Sequence, residues 1–253
     1  MLLQALSVTQ LSLAKSLKIS PSVFYFDYEE FNTSGFSLNR ETGFLPGLKL
    51  KLNTLHGNNE LNYSLSFYNG NVDYNGSTQS GQAHTTTTDT QLFDIGLSYQ
   101  FTSLDNKPFF GFRHWRWNRD ILDNNNVRGL HEIYNWNELN FGLTFETSTY
   151  QNLIVWAKPS LLYVFNPRMK ILLPNSNLTL NMKDSAGARL HAGITWPKNK
   201  STSYSLSIIS EYWEFGRSNT EFTDDFFGNS VFVTEPRSES FHNSIQFDFI
   251  NNF

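Results

Sequence analysis

The side chains that could support hydrolysis lie at the edges of long polar segments of the chain. His131 and Glu132 are adjacent in sequence, and Asp224 and Asp225 form an acidic pair. A histidine and a carboxylate within hydrogen-bonding reach can activate water as general base and acid. No spacing fixes the mutual geometry of these four residues, and charges in loops are usually only solvated. They are the candidates for hydrolytic chemistry, but we predict that the chain is not an enzyme.

Other kinds of site find little support in the sequence. The chain has 253 residues and no cysteine, which excludes disulfides and thiolate zinc sites. It contains no zinc-ligand spacing, glycine-rich phosphate cradle or helix–turn–helix pattern. Its 19 Lys and Arg against 23 Asp and Glu give a net charge of −4, which argues against nucleic-acid binding. We predict no metal, no cofactor and no nucleic-acid partner.

The elements that must position any site are strands, because apolar residues recur at every second position. In the stretch 48–53 leucines alternate with polar residues, and 61–68 and 93–100 repeat this pattern. Ten such segments are predicted, near 22–31, 46–56, 60–74, 90–101, 108–119, 132–147, 153–165, 186–197, 202–217 and 241–253. Short turns alternate with long polar loops at 32–45, 75–89, 120–131, 166–185 and 218–240. This alternation predicts an antiparallel meander.

The two faces of the predicted strands differ in a way that favours a membrane barrel. One face is aliphatic with aromatic residues near the strand ends, among which we place Phe24, Phe26 and Tyr28. Lipid-facing strands show this pattern, with the polar face turned to the lumen. The alternative is a soluble sandwich whose apolar faces meet in a core. The predicted lumen network consists of Asp27, Glu29, Lys49, Lys51, Asp94, Arg113, Glu138, Lys158, Arg189, Glu211 and Asp248.

The C-terminal strand ends in alternating aromatics, including Phe249 and the terminal Phe253. This ending resembles the assembly signature of Gram-negative integral outer-membrane β-barrel proteins. The resemblance covers residues 22–253 and implies that Phe249 and Phe253 are read by the barrel-assembly machinery. It also implies an outer-membrane location with lipid and lipopolysaccharide as surroundings. Ten-stranded omptin proteases carry acidic residues and a histidine at the extracellular rim, but no omptin catalytic motif is present here.

We therefore predict an all-β fold, a closed antiparallel up-and-down transmembrane barrel of ten strands within a range of 8–12. Residues 1–20 are expected to be a weak or truncated export signal or an N-terminal tail, and residues 21–253 the barrel. The signal remains open because its first residues lack Lys and Arg. The even strand count and the C-terminal pattern place both termini on the periplasmic side.

The lumen of a ten-stranded barrel is close to the size that side chains alone can fill. Its predicted charges have both signs and can pair, with Arg113 facing Glu138, so we expect a largely plugged polar lumen. Arg116 and Arg119, in a basic stretch beside Trp117, could instead contact lipopolysaccharide phosphates. The expected function is a surface protein whose five long loops meet extracellular ligands. The alternatives are a narrow porin-like channel and an omptin-like or lipid-directed hydrolase.

Overall fold

The strands of the chain close into a cylinder in a computed structural model that describes residues 14–77, 81–124, 127–149, 153–173, 177–225 and 228–253. The strands are β1 (Ala14–Phe31), β2 (Ser37–His56), β3 (Asn59–Ser77), β4 (Ala83–Gln100), β5 (Phe109–Ile121), β6 (Leu130–Gly142), β7 (Phe145–Ser148), β8 (Ile154–Leu172), β9 (Asn177–Asn181), β10 (Ser185–Pro197), β11 (Thr202–Phe215), β12 (Thr220–Asp224), β13 (Ser230–Thr234) and β14 (Arg237–Asn252). Among these residues, no helix is long and apolar enough to cross a membrane.

The result is a closed ten-stranded antiparallel barrel, as predicted. Each neighbouring pair from β1 to β6 is antiparallel, β6 pairs with β8, and β8 continues through β10 and β11 to β14. Pairing of β14 with β1 closes the ring, so the two-sheet sandwich is excluded. The short β7 and β9 extend the edges of β6 and β10 along β8. Strands β12 and β13 form a separate hairpin at the extracellular end.

The strands are longer than predicted and rise well beyond the lipid. Strands β1 to β4 contain 18 to 20 residues. At about 3.3 Å per residue and a tilt of about 40°, they span roughly 45–50 Å, against an apolar band about 25 Å tall. Much of the segments predicted as loops, such as 83–89 and 166–172, is therefore strand. Polar residues there keep pairing because an extended ladder satisfies their backbone groups.

Strand β1 begins at Ala14, earlier than the predicted start at residue 22, so residues 14–20 lie in the barrel wall. The export signal predicted in residues 1–20 falls mainly on residues 1–13, which lie outside the described residues. The expectation of such a signal therefore stays a prediction.

The aliphatic face points outward around the ring, as the membrane-barrel prediction requires. Ile95 is 52% exposed and Leu65 40% exposed, whereas their inward neighbours Asp94 and Ser66 are buried. These outward side chains form a belt around the periplasmic half of the cylinder, which we call the apolar belt. Its members include Val23, Leu48, Leu50, Leu65, Phe67, Ile95, Leu97, Phe112, Leu161, Leu190, Ile194, Leu206, Ile208, Ile245 and Phe247.

Candidate functional site

The lumen is filled in layers whose order can be followed along β5 and β6. Inward residues of β5 are Arg113, Trp115, Trp117 and Arg119, from the periplasmic toward the extracellular end. Their cross-strand partners on β6 are Glu138, Trp136, Tyr134 and Glu132. Two charged rows thus enclose two aromatic rows, because side chains of the same parity share one face of a strand.

The charged row nearer the periplasm is the lower network, made of Asp94, Arg113, Glu138, Arg189 and Glu211. Arg113 donates from Nε to Asp94 Oδ1 at 3.2 Å, and its Nη1 lies 3.7 Å from Glu138 Oε2. Arg189 donates from Nη2 to Glu138 at 2.9 Å and is also paired with Glu211. Two guanidinium groups thus face three carboxylates in multidentate pairs, which is the arrangement that buried charges require.

Above the lower network lies the aromatic layer, formed by Trp115, Trp117, Tyr134, Trp136 and Trp213. Each of these rings is at most 2% exposed. Trp115 on β5 lies 6.0 Å from Trp213 on β11, and these strands are not neighbours in the ring. Trp115 also stacks on Trp136 at 5.4 Å. The contact between Trp115 and Trp213 therefore crosses the lumen.

The charged row nearer the outside is the upper cluster, in which Arg119 is surrounded by carboxylates. Arg119 donates from Nε to Glu41 at 2.7 Å and from Nη1 to Glu132 at 2.7 Å and to Glu30 at 3.1 Å. Glu30 comes from β1, on the far side of the lumen from β5, so this ion pair is a second cross-brace. Arg119 is 1% exposed.

Glu235 is the fourth carboxylate of the upper cluster and comes from the segment between β13 and β14. The hydroxyls of Tyr134 and Tyr28 donate to its Oε1 at 2.8 and 3.1 Å. Burial, reinforced by the charges of Glu30 and Glu132, raises the pKa of the Glu235 carboxyl well above its ordinary value of 4.5. Glu235 thereby ties the β12–β13 hairpin to the mouth of the barrel.

Two of the predicted lumen residues lie elsewhere. Asp27 and Glu29 sit on the outer face of β1, because the alternate positions Phe26 and Tyr28 are buried in the lumen. Asp27 instead accepts hydrogen bonds from Arg40 on the outside, at 2.9 and 2.7 Å. The placement of Phe24, Phe26 and Tyr28 on the lipid face was therefore wrong: packing with the aromatic layer decides the parity of β1.

The other predicted lumen charges lie inside, but not all are paired. Asp248 lies 2.6 Å from Lys18, a residue absent from the predicted network. Lys49, Lys51 and Lys158 line a cavity of about 450 Å³ below the lower network. Lys158 donates to Gln100 Oε1 at 3.3 Å.

The two arginines predicted to contact lipopolysaccharide lie on opposite faces of β5. Arg116 is exposed on the outer face and donates to Asn118 at 3.1 Å. Arg119 lies in the upper cluster and cannot reach lipid, which corrects its assignment as a lipid contact. Arg116 and Arg119 occupy positions of opposite parity in β5, so they lie on opposite faces of the strand. Trp115 and Trp117 share the parity of Arg119 and therefore point into the lumen, away from the lipid interface.

The candidates for hydrolysis are dispersed. Glu132 is buried beside Arg119, and His131, its neighbour in β6, points to the opposite face. Asp224 accepts from Ser230 Oγ at 3.0 Å at the tip of the hairpin, and Asp225 caps the turn by accepting from the Asn229 amide at 2.8 Å. The structure therefore brings no His–carboxylate pair of this set together. Within the described residues no group of side chains is suited to hold a metal ion.

The predicted assembly residues lie at the periplasmic edge. Phe249 is 48% exposed on the lipid face of β14, and Phe253 is 72% exposed beyond its end. Sequence reasoning missed Glu30, Glu41 and Glu235. Aligning β5 with β6 row by row would have exposed the layers, but no local signal places Glu235 beside Arg119.

The comparisons with known proteins show similarity in fold, at low sequence identity. No protein-family model and no curated protein matches the chain. Among solved structures, the chain is similar to the outer membrane protease OmpT from Escherichia coli, with 12% identity, 99% of each chain covered and a TM-score of 0.57. The translocator domain of the autotransporter NalP from Neisseria meningitidis has 8% identity, 94% and 88% coverage and a TM-score of 0.48. The closed ring and its apolar belt make the chain an integral outer-membrane β-barrel.

Proposed function

We propose that this barrel is a non-conducting, non-enzymatic surface protein whose activity resides in its extracellular half. The observation that carries the proposal is the aromatic layer, since the contact of Trp115 with Trp213 crosses the lumen. The cross-brace from Arg119 to Glu30 reinforces the obstruction above it. A barrel filled in this way resists collapse and presents its outer end rigidly, which suits a binding surface.

The β12–β13 hairpin is the most prominent part of that surface. Phe222 and Phe232 pair across it with ring centroids 5.3 Å apart, yet they are 59% and 71% exposed. Exposed aromatic pairs at the end of a rigid scaffold are typical of interaction sites. The extracellular ligand predicted from the loops at 32–45, 75–89, 120–131, 166–185 and 218–240 is thus proposed to meet this hairpin first.

Two further partners belong to the proposal. Arg116, on the outer face where polar residues succeed the apolar belt, is positioned to bind a lipopolysaccharide phosphate. Phe249 and Phe253, exposed at the periplasmic edge, support recognition by the barrel-assembly machinery.

Planar-bilayer conductance of refolded protein tests the closed lumen. The wild type should show no discrete openings, whereas the double variant Trp115→Ala/Trp213→Ala, which removes the cross-lumen contact, should flicker open. The matched control Trp196→Ala replaces a tryptophan on the outer face near the periplasmic edge and should stay silent. Discrete wild-type openings would establish the porin-like channel instead.

Adhesion of cells tests the hairpin. Cells carrying Phe222→Ser/Phe232→Ser should bind host or matrix surfaces less than cells with the wild type at equal surface amounts. Unchanged adhesion would remove the hairpin from the proposal while leaving the closed lumen intact.

A further inference from the structure

The lumen below the lower network is a water-accessible chamber, which we call the lysine cavity. It encloses about 450 Å³ and is lined by Lys18, Lys49, Lys51, Lys158 and His191. Lys15 and Asn252, at the periplasmic ends of β1 and β14, also line it, so the chamber opens toward the periplasm. Its inner end is formed by Trp115 and by Arg113, Arg189 and Glu211 of the lower network. The volume falls within the range of small-molecule sites, which is about 300–1,000 Å³.

The positive charges of the lysine cavity converge from opposite walls. Lys49 and Lys51 are inward residues of β2, and Lys51 is directly across from Lys18 on β1. Lys158 belongs to β8, on the far side of the ring from β2, and is directly across from His191 on β10. Each of these side chains is half-buried and lines the chamber.

The carboxylates that line the cavity already have partners. Glu60 is paired with Lys15, Glu146 with Lys107 and Glu211 with Arg189. Asp248 on β14, which is not among the lining residues, is paired with Lys18. Within the described part of the chain, no carboxylate oxygen lies within 4.0 Å of the ammonium of Lys49, Lys51 or Lys158. Three ammonium groups thus remain without a negative partner.

Such an excess is costly, and an anion in the chamber would offset it. Charges inside a barrel surrounded by lipid are stabilised by water less than charges at a surface, and like charges repel one another there. A chamber whose remaining charge is positive concentrates anions. Neutral donors also line the chamber, notably Asn53, Ser64 and Ser98. Point charges from lysine combined with hydroxyl and amide donors suit the several oxygens of a phosphate group.

We propose that the lysine cavity binds the phosphate group of a small periplasmic solute, with Lys49 and Lys51 on one side and Lys158 on the other. Binding is reversible, needs no covalent step and is independent of the extracellular surface activity. A phospholipid headgroup carries the same chemistry, but it would have to leave the bilayer and enter past the rim of Lys15 and Asn252. A soluble phosphate ester reaches the chamber directly.

Isothermal titration of the refolded protein in neutral detergent tests the proposal, with glycerol phosphate and inorganic phosphate as probes. Ionic strength is held constant with chloride. We expect saturable one-site binding, with affinity reduced about tenfold or more in Lys49→Gln, Lys51→Gln and Lys158→Gln. The control Lys170→Gln lies on the outer face of β8 near its extracellular end and should bind like the wild type. Bicelles containing phosphatidylglycerol form the lipid arm.

Each result of the titration either supports or overturns the proposed phosphate site. Saturable phosphate binding that fails in the three variants supports the proposal, and tighter binding of phosphatidylglycerol than of glycerol phosphate would overturn the soluble source. No wild-type binding at millimolar phosphate, or equal binding by the Lys51→Gln variant, would overturn the site itself. If a variant does not fold, protection of wild-type Lys49, Lys51 and Lys158 from amine acylation by phosphate answers the same question. Absence of protection counts against the site.

Discussion

At the scale of single residues, Arg119 holds the strands together at the extracellular end of the lumen. It donates to Glu41, Glu132 and Glu30, which come from β2, β6 and β1. Removing one partner of a buried ion pair leaves uncompensated charges in a poorly hydrated interior, which usually costs about 3–5 kcal/mol. The effect of losing Arg119 should therefore far exceed that of losing a neighbouring arginine on the outside.

We predict that Arg119→Met lowers the free energy of unfolding by about 3–5 kcal/mol. Urea unfolding in phospholipid vesicles, followed by the fluorescence of the six tryptophans, measures the change. Arg116→Met is the matched control, because Arg116 lies in the same strand on the outer face and should cost less than about 1 kcal/mol. Equal losses in the two variants would show that the upper cluster contributes no cross-brace.

At the scale of elements, the β12–β13 hairpin is held to the barrel by a carboxyl group with a raised pKa. Two tyrosine hydroxyls donate to Glu235, while Glu30 and Glu132 lie close enough to repel its charge. A carboxyl whose pKa is higher in the folded than in the unfolded state stabilises the fold at low pH. That contribution is lost as pH rises through the raised value.

We predict that proteolytic cleavage within the hairpin accelerates as pH rises above the ordinary carboxyl range, because ionised Glu235 is repelled from the upper cluster. Glu235→Gln stays neutral and should keep the hairpin docked at alkaline pH. Asp224→Asn, at the exposed hairpin tip, is the control and should follow the wild type. A pH profile that is the same in the wild type and in Glu235→Gln would contradict this role.

The apolar belt gives a second prediction about elements. Ile95 lies within the belt on the outer face of β4, and Thr85 lies on the same face nearer the extracellular end. An arginine near the bilayer midplane of a barrel costs about 2–4 kcal/mol, and much less toward the interface. Ile95→Arg should therefore destabilise the protein in vesicles by that amount, with Thr85→Arg nearly neutral. Equal stabilities would mean that Ile95 does not face lipid.

The sequence predicted these elements unevenly, for physical reasons. The alternation of aliphatic and polar residues in β2 to β4 allows only one assignment of the two strand faces, because Leu48, Leu65 and Ile95 must face lipid. In β1 aromatic residues occur on both parities, and only contacts with other strands, such as Phe26 with Trp117 at 5.1 Å, select the inward set. Strand ends were underestimated because polar extensions such as 83–89 lack an apolar face.

At the scale of the whole molecule, the aromatic layer lies between a periplasmic and an extracellular compartment of the lumen. The periplasmic compartment is the lysine cavity, and the upper cluster lies in the extracellular compartment, to which Glu235 ties the hairpin. Closed-barrel topology followed from the sequence because strand count and connection lengths are local properties. The compartments did not, because they depend on contacts between strands distant in sequence, such as Arg119 with Glu30 and Trp115 with Trp213.

Side-specific labelling of single cysteines tests this division most directly, since the natural chain has no cysteine to interfere. Ser98→Cys places a thiol in the lysine cavity, and Ser34→Cys places one in the extracellular turn between β1 and β2. In vesicles of one orientation, a small membrane-impermeant thiol reagent should modify the Ser98→Cys variant only from the periplasmic side and the Ser34→Cys variant only from the extracellular side. Modification at 98 from the extracellular side, at the rate seen at 34, would contradict a lumen closed by the aromatic layer.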